Sequence, residues 1–347
     1  MTINLNDALG RSNNNFDLVR LVAALLVIFG HSFYLFPTNG YPEPVKYVLG
    51  TDYSGSLAVA IFFFLSGIFI TGSYCSSKTL FRFGLMRVFR IWPALIICML
   101  VSVLVVGPLF TTLPLTGYFK SEQSWRYLVK NIGLMKLELM LPSVFKTNLY
   151  NTVLNGSLWT LPTEIKCYVF VLIAGLSRLI KFKWILLVML LLAFRFRYNV
   201  CLVQFFGSWE GVQQFLFFVA GMAAYLFRQH ILINTKAALF IILVCIAAWF
   251  FSQRVFYKLF YLTFLYSILA FGISGPAKRI KLPGDYSYGI YIYGFLVQQI
   301  VAHLMPSLTS YLSLLITIPF TVALGLLSWH LVEQPALKAV KRYLVTH

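Results

Sequence analysis

The chain carries only 10 acidic residues among 347, against 28 lysines and arginines, and charged side chains of both signs make up 11% of it. So thin a polar coat excludes a soluble globular domain, in which about a quarter of the residues are charged. Cysteine is also scarce. Cys75, Cys98, Cys167, Cys201 and Cys245 show neither CxxC nor Cys/His spacing, which speaks against a disulfide scaffold or a metal site and predicts small core residues. Repeats, low-complexity tracts and linkers able to separate soluble domains are absent. What fills the chain instead is apolar: 60% of residues are hydrophobic and the mean hydropathy is +0.81.

A membrane span needs about 20 mainly apolar residues, and ten segments serve, at 17–36, 57–75, 88–110, 158–177, 182–194, 211–227, 237–251, 257–274, 286–304 and 309–331. The expected fold is all-α, a polytopic membrane helical bundle of about ten transmembrane helices. The first run follows a polar, Asn-rich leader and is long enough to span, so it is expected to be a retained helix rather than a cleaved signal. One integral membrane domain is expected over 1–347, with 111–157 as a long extracytoplasmic loop, partly helical around Trp125 to Leu141, and no appended soluble domain.

The formal charge of +18 is read through topology before nucleic acid is considered. With both termini cytoplasmic, the inner face receives Arg11, Lys78, Arg82, Arg87, Arg90, Arg178, Lys181, Lys183, Arg228, Lys236, Lys278, Arg279, Lys281, Lys338, Lys341 and Arg342, while the short outer loops hold only Lys46, Arg195, Arg197 and Arg254. A basic inner face suits anionic membrane lipids, and no nucleic-acid partner is expected.

Against this background a few polar residues stand inside apolar runs. Arg20 and His31 bracket the first; eleven residues turn through about 1100°, some 20° from three full turns, and rise roughly 16 Å, so both lie on one helix face. Arg20 either snorkels to lipid head groups or serves a site. His31 is a functional candidate, because ionisable groups in membrane spans mark function and imidazole suits proton transfer near neutral pH. Glu164, in NGSLWTLPTEIKCYVF, is a second candidate, either orienting the imidazole or paired with a basic neighbour such as Lys166; Tyr168 falls one turn beyond it. Lys78, Arg82, Arg87 and Arg90 gather at the inner end of the third span, as guanidiniums that recognise phosphate bidentately or as topological charge, and Trp92 is expected to anchor at the interface. Ser66 and Gly67 in FFFLSG read first as helix-packing residues. Tyr286, Tyr288, Tyr291 and Tyr293 read first as a packed aromatic core.

In this order the elements resemble the integral membrane acyltransferase 3 family, bacterial enzymes that acylate surface carbohydrates, from Phe16 to about Pro335. The family's Arg/Lys, ten residues, His pattern falls on Arg20 and His31. FFFLSG, Arg87-Val-Phe-Arg90-Ile-Trp92-Pro93, Ser157-Leu-Trp159-Thr-Leu-Pro-Thr-Glu164, the Asp285-Tyr-Ser287-Tyr288-Gly289-Ile-Tyr291 run and Val332-Glu333-Gln-Pro335 match later motifs. Three positions depart from the pattern: Gly294 stands where a histidine is usual, Gln334 where a basic residue is frequent, and Trp92 where a smaller aromatic is common. The first departure leaves His31 as the main candidate base. His230 and His347 sit in polar ends, and His303 and His330 lie near helix ends without a matched partner.

The resemblance implies a membrane O-acyltransferase of the bacterial inner (cytoplasmic) membrane. It would move an acyl group, acetyl above all, from cytosolic acyl-CoA to a hydroxyl of a surface or lipid-linked polysaccharide such as O-antigen. His31, Glu164 and Arg20 are then the expected catalytic residues, Arg82, Arg87, Arg90 and Arg20 hold the donor, and Trp159, Tyr168, Ser66 and Tyr288 contact the acceptor. In the loop, Trp125, Tyr118, Tyr127 and Tyr150 offer stacking surfaces. The residues alone leave a second function open, a proton-coupled transporter or flippase using Arg20, His31 and Glu164, although no inverted repeat supports it.

Overall fold

Twenty residues without a proline form an unbroken helix, α1, over Phe16–Leu35. It starts at Asn15, whose side-chain oxygen accepts the Leu18 N–H at 3.0 Å, satisfying one of the donors a helix start leaves open. The computed structural model describes residues 2–10, 12–36, 40–151 and 153–346; Arg11 and His347 lie outside the described residues. The chain continues through α2 (Ser54–Ser76), α3 (Leu80–Phe110), α4 (Gly156–Leu176), α5 (Lys183–Arg195), α6 (Trp209–Leu226), α7 (Thr235–Phe251), α8 (Gln253–Gly272), α9 (Ser287–Leu304) and α10 (Ser310–Thr346). All ten apolar segments are therefore helical, and the fold is all-α apart from a short antiparallel pairing of Thr2–Asn4 with Leu232–Asn234.

Six of these helices are long and apolar enough to cross a membrane, or seven if α5 and Val200–Phe206, which meet at 101°, count as one span. α7 has 17 residues. α6 and α9 are lowered in hydropathy by paired glutamines, Gln213 with Gln214 and Gln298 with Gln299. Phe240, Phe250 and Phe251 of α7 are largely exposed, as lipid-facing side chains of a multi-pass membrane protein should be.

The chain forms two compact units, Met1–Val22 with Val59–Ser76 and Cys167–Pro283, and Ala23–Ala58 with Ser77–Lys166 and Gly284–His347. In the first, α2 and α6 touch backbone to backbone. A Cβ on Gly67 would strike the Phe218 carbonyl, and one on Gly221 would strike that of Phe64, so the packing role read for Gly67 is what the structure shows. Of the cysteines, Cys98, Cys167 and Cys245 are buried, but Cys75 and Cys201 are exposed, which corrects the expectation that all five are core residues.

In the second unit, Arg90 of α3 donates from Nη2 to Asp285 Oδ2 at 2.7 Å and from Nη1 to Glu333 Oε2 at 2.8 Å. The remaining carboxylate oxygens accept hydroxyls, Asp285 Oδ1 from Ser287 and Glu333 Oε1 from Ser328 at 2.9 Å. Glu333 closes a π-helical turn, Trp329–Glu333, inside α10, a local widening that is frequent at functional positions. The segment 111–155 holds two short helices, Leu115–Lys120 and Glu122–Gly133. The second ends at Gly133 rather than near Leu141, because Leu134 takes a left-handed conformation and returns its N–H to the Lys130 carbonyl. The rest is tied down by side chains: Asn131 bonds Glu138 through both amide atoms at 2.9 Å, and Asn148 donates to the Gln299 side chain at 2.7 Å.

Two stability outcomes are expected. Gly67→Val should cut the yield of folded protein in mild detergent, because backbone blocks the added methyls, whereas Gly84→Val, whose Cβ meets open space, should not. Arg90→Ala should lower the thermal unfolding midpoint far more than Arg90→Lys, since stripping one partner from a buried ion pair costs about 3–5 kcal/mol; equal midpoints would refute the ion-pair role.

Candidate functional site

His31 lies one turn beyond Ile28 on α1, where α1 runs against α9. The Ile28 carbonyl accepts from Gln298 Nε2 at 2.8 Å, and the His31 ring packs edge-on against Phe295 with centroids 5.1 Å apart. Tyr53 covers another side at 6.5 Å, seated where Gly30 and Gly55 leave room for its ring. Burial, with Tyr34, Glu43 and Tyr150 nearby, pushes the Tyr53 phenol up, so it stays protonated and able to donate. His31 Nδ1 is buried and has no hydrogen-bond partner among the described residues. An imidazole with an unbonded ring nitrogen can take up a proton.

Phe295 joins this histidine to the start of α4. A Cβ on Gly156 would stand 2.6 Å from Phe295 Cε2, and Asn155 locks the turn, accepting the Ser157 N–H at 3.2 Å and donating to the Ile292 carbonyl at 2.8 Å. One turn on, Thr160 Oγ1 shares a 2.7 Å hydrogen bond with the Tyr291 hydroxyl. Glu164 follows, half-buried and within electrostatic range of Tyr288 and Tyr291. His31 Nδ1 makes no hydrogen bond with Glu164 or with any other described residue. Tyr288 in turn donates to the Ile91 carbonyl at 3.0 Å and lies under the Arg90 guanidinium, 5.5 Å from its ring centre.

The basic cluster divides. Arg90 spends its fork on Asp285 and Glu333, so a phosphate there would have to displace two carboxylates. Arg87 lies 5.9 Å from the Phe83 ring centre. Arg82 is half-buried, and its side chain makes no hydrogen bond or ion pair among the described residues; its backbone N–H is capped by Thr79. Trp92 donates to the Ile132 carbonyl at 3.0 Å, and Trp159 closes the first turn of α4. In the other unit, Arg20 pairs with Asp17 at 3.3 Å and lies over the Phe69 ring at 5.0 Å, Ser66 is half-buried on α2, and Tyr168 is buried.

Tyr118 and Tyr127 are buried completely, which removes them as stacking surfaces, while Trp125 and Tyr150 remain exposed. His303 is partnered after all, its Nδ1 lying 3.1 Å from Asn148 Oδ1, and His330 Nε2 lies 3.5 Å from the Tyr286 hydroxyl. Sequence reasoning missed Asp285 and Glu333 as partners of Arg90. Their signal was scarcity, because two of only ten acidic residues stand at the edges of apolar runs. Tyr53 and Phe295 carried no such signal. No group of three His, Cys, Asp or Glu side chains is arranged to hold a metal among the described residues.

An O-acetyl transferase of Shigella phage Sf6 is 32% identical over 329 residues, which cover 93% of this chain and 95% of the phage protein. Nodulation protein 10 of Rhizobium leguminosarum bv. viciae is 28% identical over 360 residues, covering 94% and 93%. No solved structure matches the chain. Residues 13–330 match the acyltransferase domain of the acyltransferase 3 family, and the chain therefore belongs to that family and is a membrane acyltransferase.

Proposed function

We propose that the protein moves an acetyl group from cytosolic acetyl-CoA to a hydroxyl of a surface or lipid-linked polysaccharide such as O-antigen, across a bacterial inner membrane, with His31 as general base. The observation that carries this reading is the His31 imidazole, half-buried on a membrane helix, with Nδ1 buried and unclaimed by any described residue. Support for acetyl comes from the likeness to the phage O-acetyl transferase. The whole chain acts as one integral domain of about ten spans with both termini cytoplasmic.

In this reading His31 removes the acceptor hydroxyl proton as the oxygen bonds to the thioester carbon, which avoids a high-energy oxonium. The carbon–sulfur bond then breaks, and the leaving thiolate takes the proton back from the imidazolium. Arg82 and Arg87 bind the donor phosphates. Arg90 acts beside them as a strut, since its guanidinium is held by Asp285 and Glu333. Glu164 works through the tyrosines of α9 rather than on Nδ1, with Tyr288 and Trp159 toward the acceptor. Arg20 serves the donor and the chemistry, and Ser66 and Tyr168 serve the acceptor.

The test supplies isotopically labelled acetyl-CoA to the cytosolic side of inverted membrane vesicles, with polysaccharide from a strain lacking the gene, and follows label into the glycan. Transfer is expected from the parent, and His31→Ala should lower it by about 10² to 10⁴-fold while the protein stays inserted; parent-like transfer by that variant would remove His31 from the chemistry. Replacing Arg82 and Arg87 together by alanine should raise the KM for acetyl-CoA roughly tenfold or more, the loss of one or two charge-assisted hydrogen bonds, with kcat little changed. An unaltered KM would return both residues to topology.

A further inference from the structure

Ser157 is 1% exposed, and its hydroxyl has no hydrogen-bond partner among the described residues. Serines within helices commonly return the hydroxyl to a carbonyl three or four residues back. Ser157 stands instead in the opening turn, Gly156–Trp159, where the preceding residues are not helical. Its backbone N–H is already taken by Asn155, so the turn is held without help from the hydroxyl. A buried polar atom left open in this way calls for an explanation, and a catalytic duty is one of those that proteins use.

Its surroundings name the duty. Gly156 abuts one part of the Phe295 ring, and His31 packs on the same ring at 5.1 Å. The imidazole and the residue that precedes Ser157 are thus brought to one aromatic side chain, and both the imidazole Nδ1 and the Ser157 hydroxyl lack a hydrogen-bond partner among the described residues. The hydroxyl stands at the N-terminus of a 21-residue helix, where the aligned peptide dipoles favour negative charge.

We infer that the Ser157 hydroxyl donates a hydrogen bond to the thioester carbonyl oxygen as it becomes an oxyanion. This rests on the reading of His31 as base. When the acceptor oxygen bonds to the carbonyl carbon and its proton passes to His31, the carbonyl π electrons move onto oxygen. Ser157 and the helix start meet that charge, which falls back as the carbon–sulfur bond breaks. Donors aimed at developing charge in a water-poor site are among the strongest catalytic devices.

Steady-state transfer in vesicles, with labelled acetyl-CoA and polysaccharide from a strain lacking the gene, tests the role. Ser157→Ala should lower kcat about 10² to 10³-fold with both KM values within about threefold of the parent. Its thermal midpoint should not fall, because an unpartnered hydroxyl contributes nothing to the fold. Ser157→Cys, a weaker donor of similar size, should fall between the two. A kcat for Ser157→Ala within about threefold of the parent would overturn the inference, and so would a lower midpoint, since the hydroxyl would then belong to the fold. A parent that moves no label overturns the donor-and-acceptor reading and this inference with it; a transferring parent matched by its Ser157→Ala variant overturns the role of Ser157 alone.

Discussion

The Arg90 ion pairs are the constraint on which the second unit depends. One guanidinium joins carboxylates that lie 195 and 243 residues further along the chain, and so fixes α3 to the approach of α9 and to the π-turn of α10. In a medium with little water, such charges are tolerable only when paired and hydrogen-bonded. Each carboxylate meets that demand on both oxygens, one on Arg90 and one on a serine hydroxyl. Arginine suits the position because two nitrogens of its planar fork, Nη1 and Nη2, each reach one carboxylate.

The surroundings of His31 follow the opposite rule. The carboxylates that Arg90 holds are satisfied by the protein, whereas His31 Nδ1 and the Ser157 hydroxyl have no hydrogen-bond partner among the described residues. Between the two regions, Tyr288 and Tyr291 carry the connection. Tyr288 sits under Arg90, and both phenols lie within electrostatic range of Glu164. The paired carboxylates thus hold rigid the helix whose Phe295 supports the imidazole. A reactive group left without a partner keeps its geometry only if its neighbours are locked.

Much of this was legible in the sequence, and the limits are physical. The ten apolar segments could be read as helical, because a helix satisfies the backbone of an apolar run in lipid, although six of them, or seven with the bent pair, are long and apolar enough to cross a membrane. His31, Glu164 and Arg90 stood out because polar groups are costly there. Partners were another matter. Arg90 read equally as phosphate ligand or topological charge, and only tertiary structure brings Asp285 and Glu333 to it. Tyr53 and Phe295 were invisible for the converse reason, since an aromatic residue in a chain that is 17% aromatic carries no contrast. The end of the Glu122–Gly133 helix was missed because it turns on a left-handed leucine, φ 54° at Leu134, a conformation seldom signalled outside glycine and asparagine.

Gly294, where the family pattern usually has histidine, finds its explanation in the same packing. A Cβ there would stand 3.0 Å from Ile28 Cγ1 and 3.7 Å from Thr321 Cγ2, so even alanine would press on α1 and a histidine would force α1 and α9 apart. That separation would draw the Ile28 carbonyl from Gln298 and the His31 ring from Phe295, since both contacts lie within one turn of Gly294 along α9. The missing histidine and the close seat of His31 are therefore two consequences of one glycine. By giving up a side chain at this position, the helix pair brings the His31 imidazole against Phe295 and, through that ring, toward Gly156 at the start of α4.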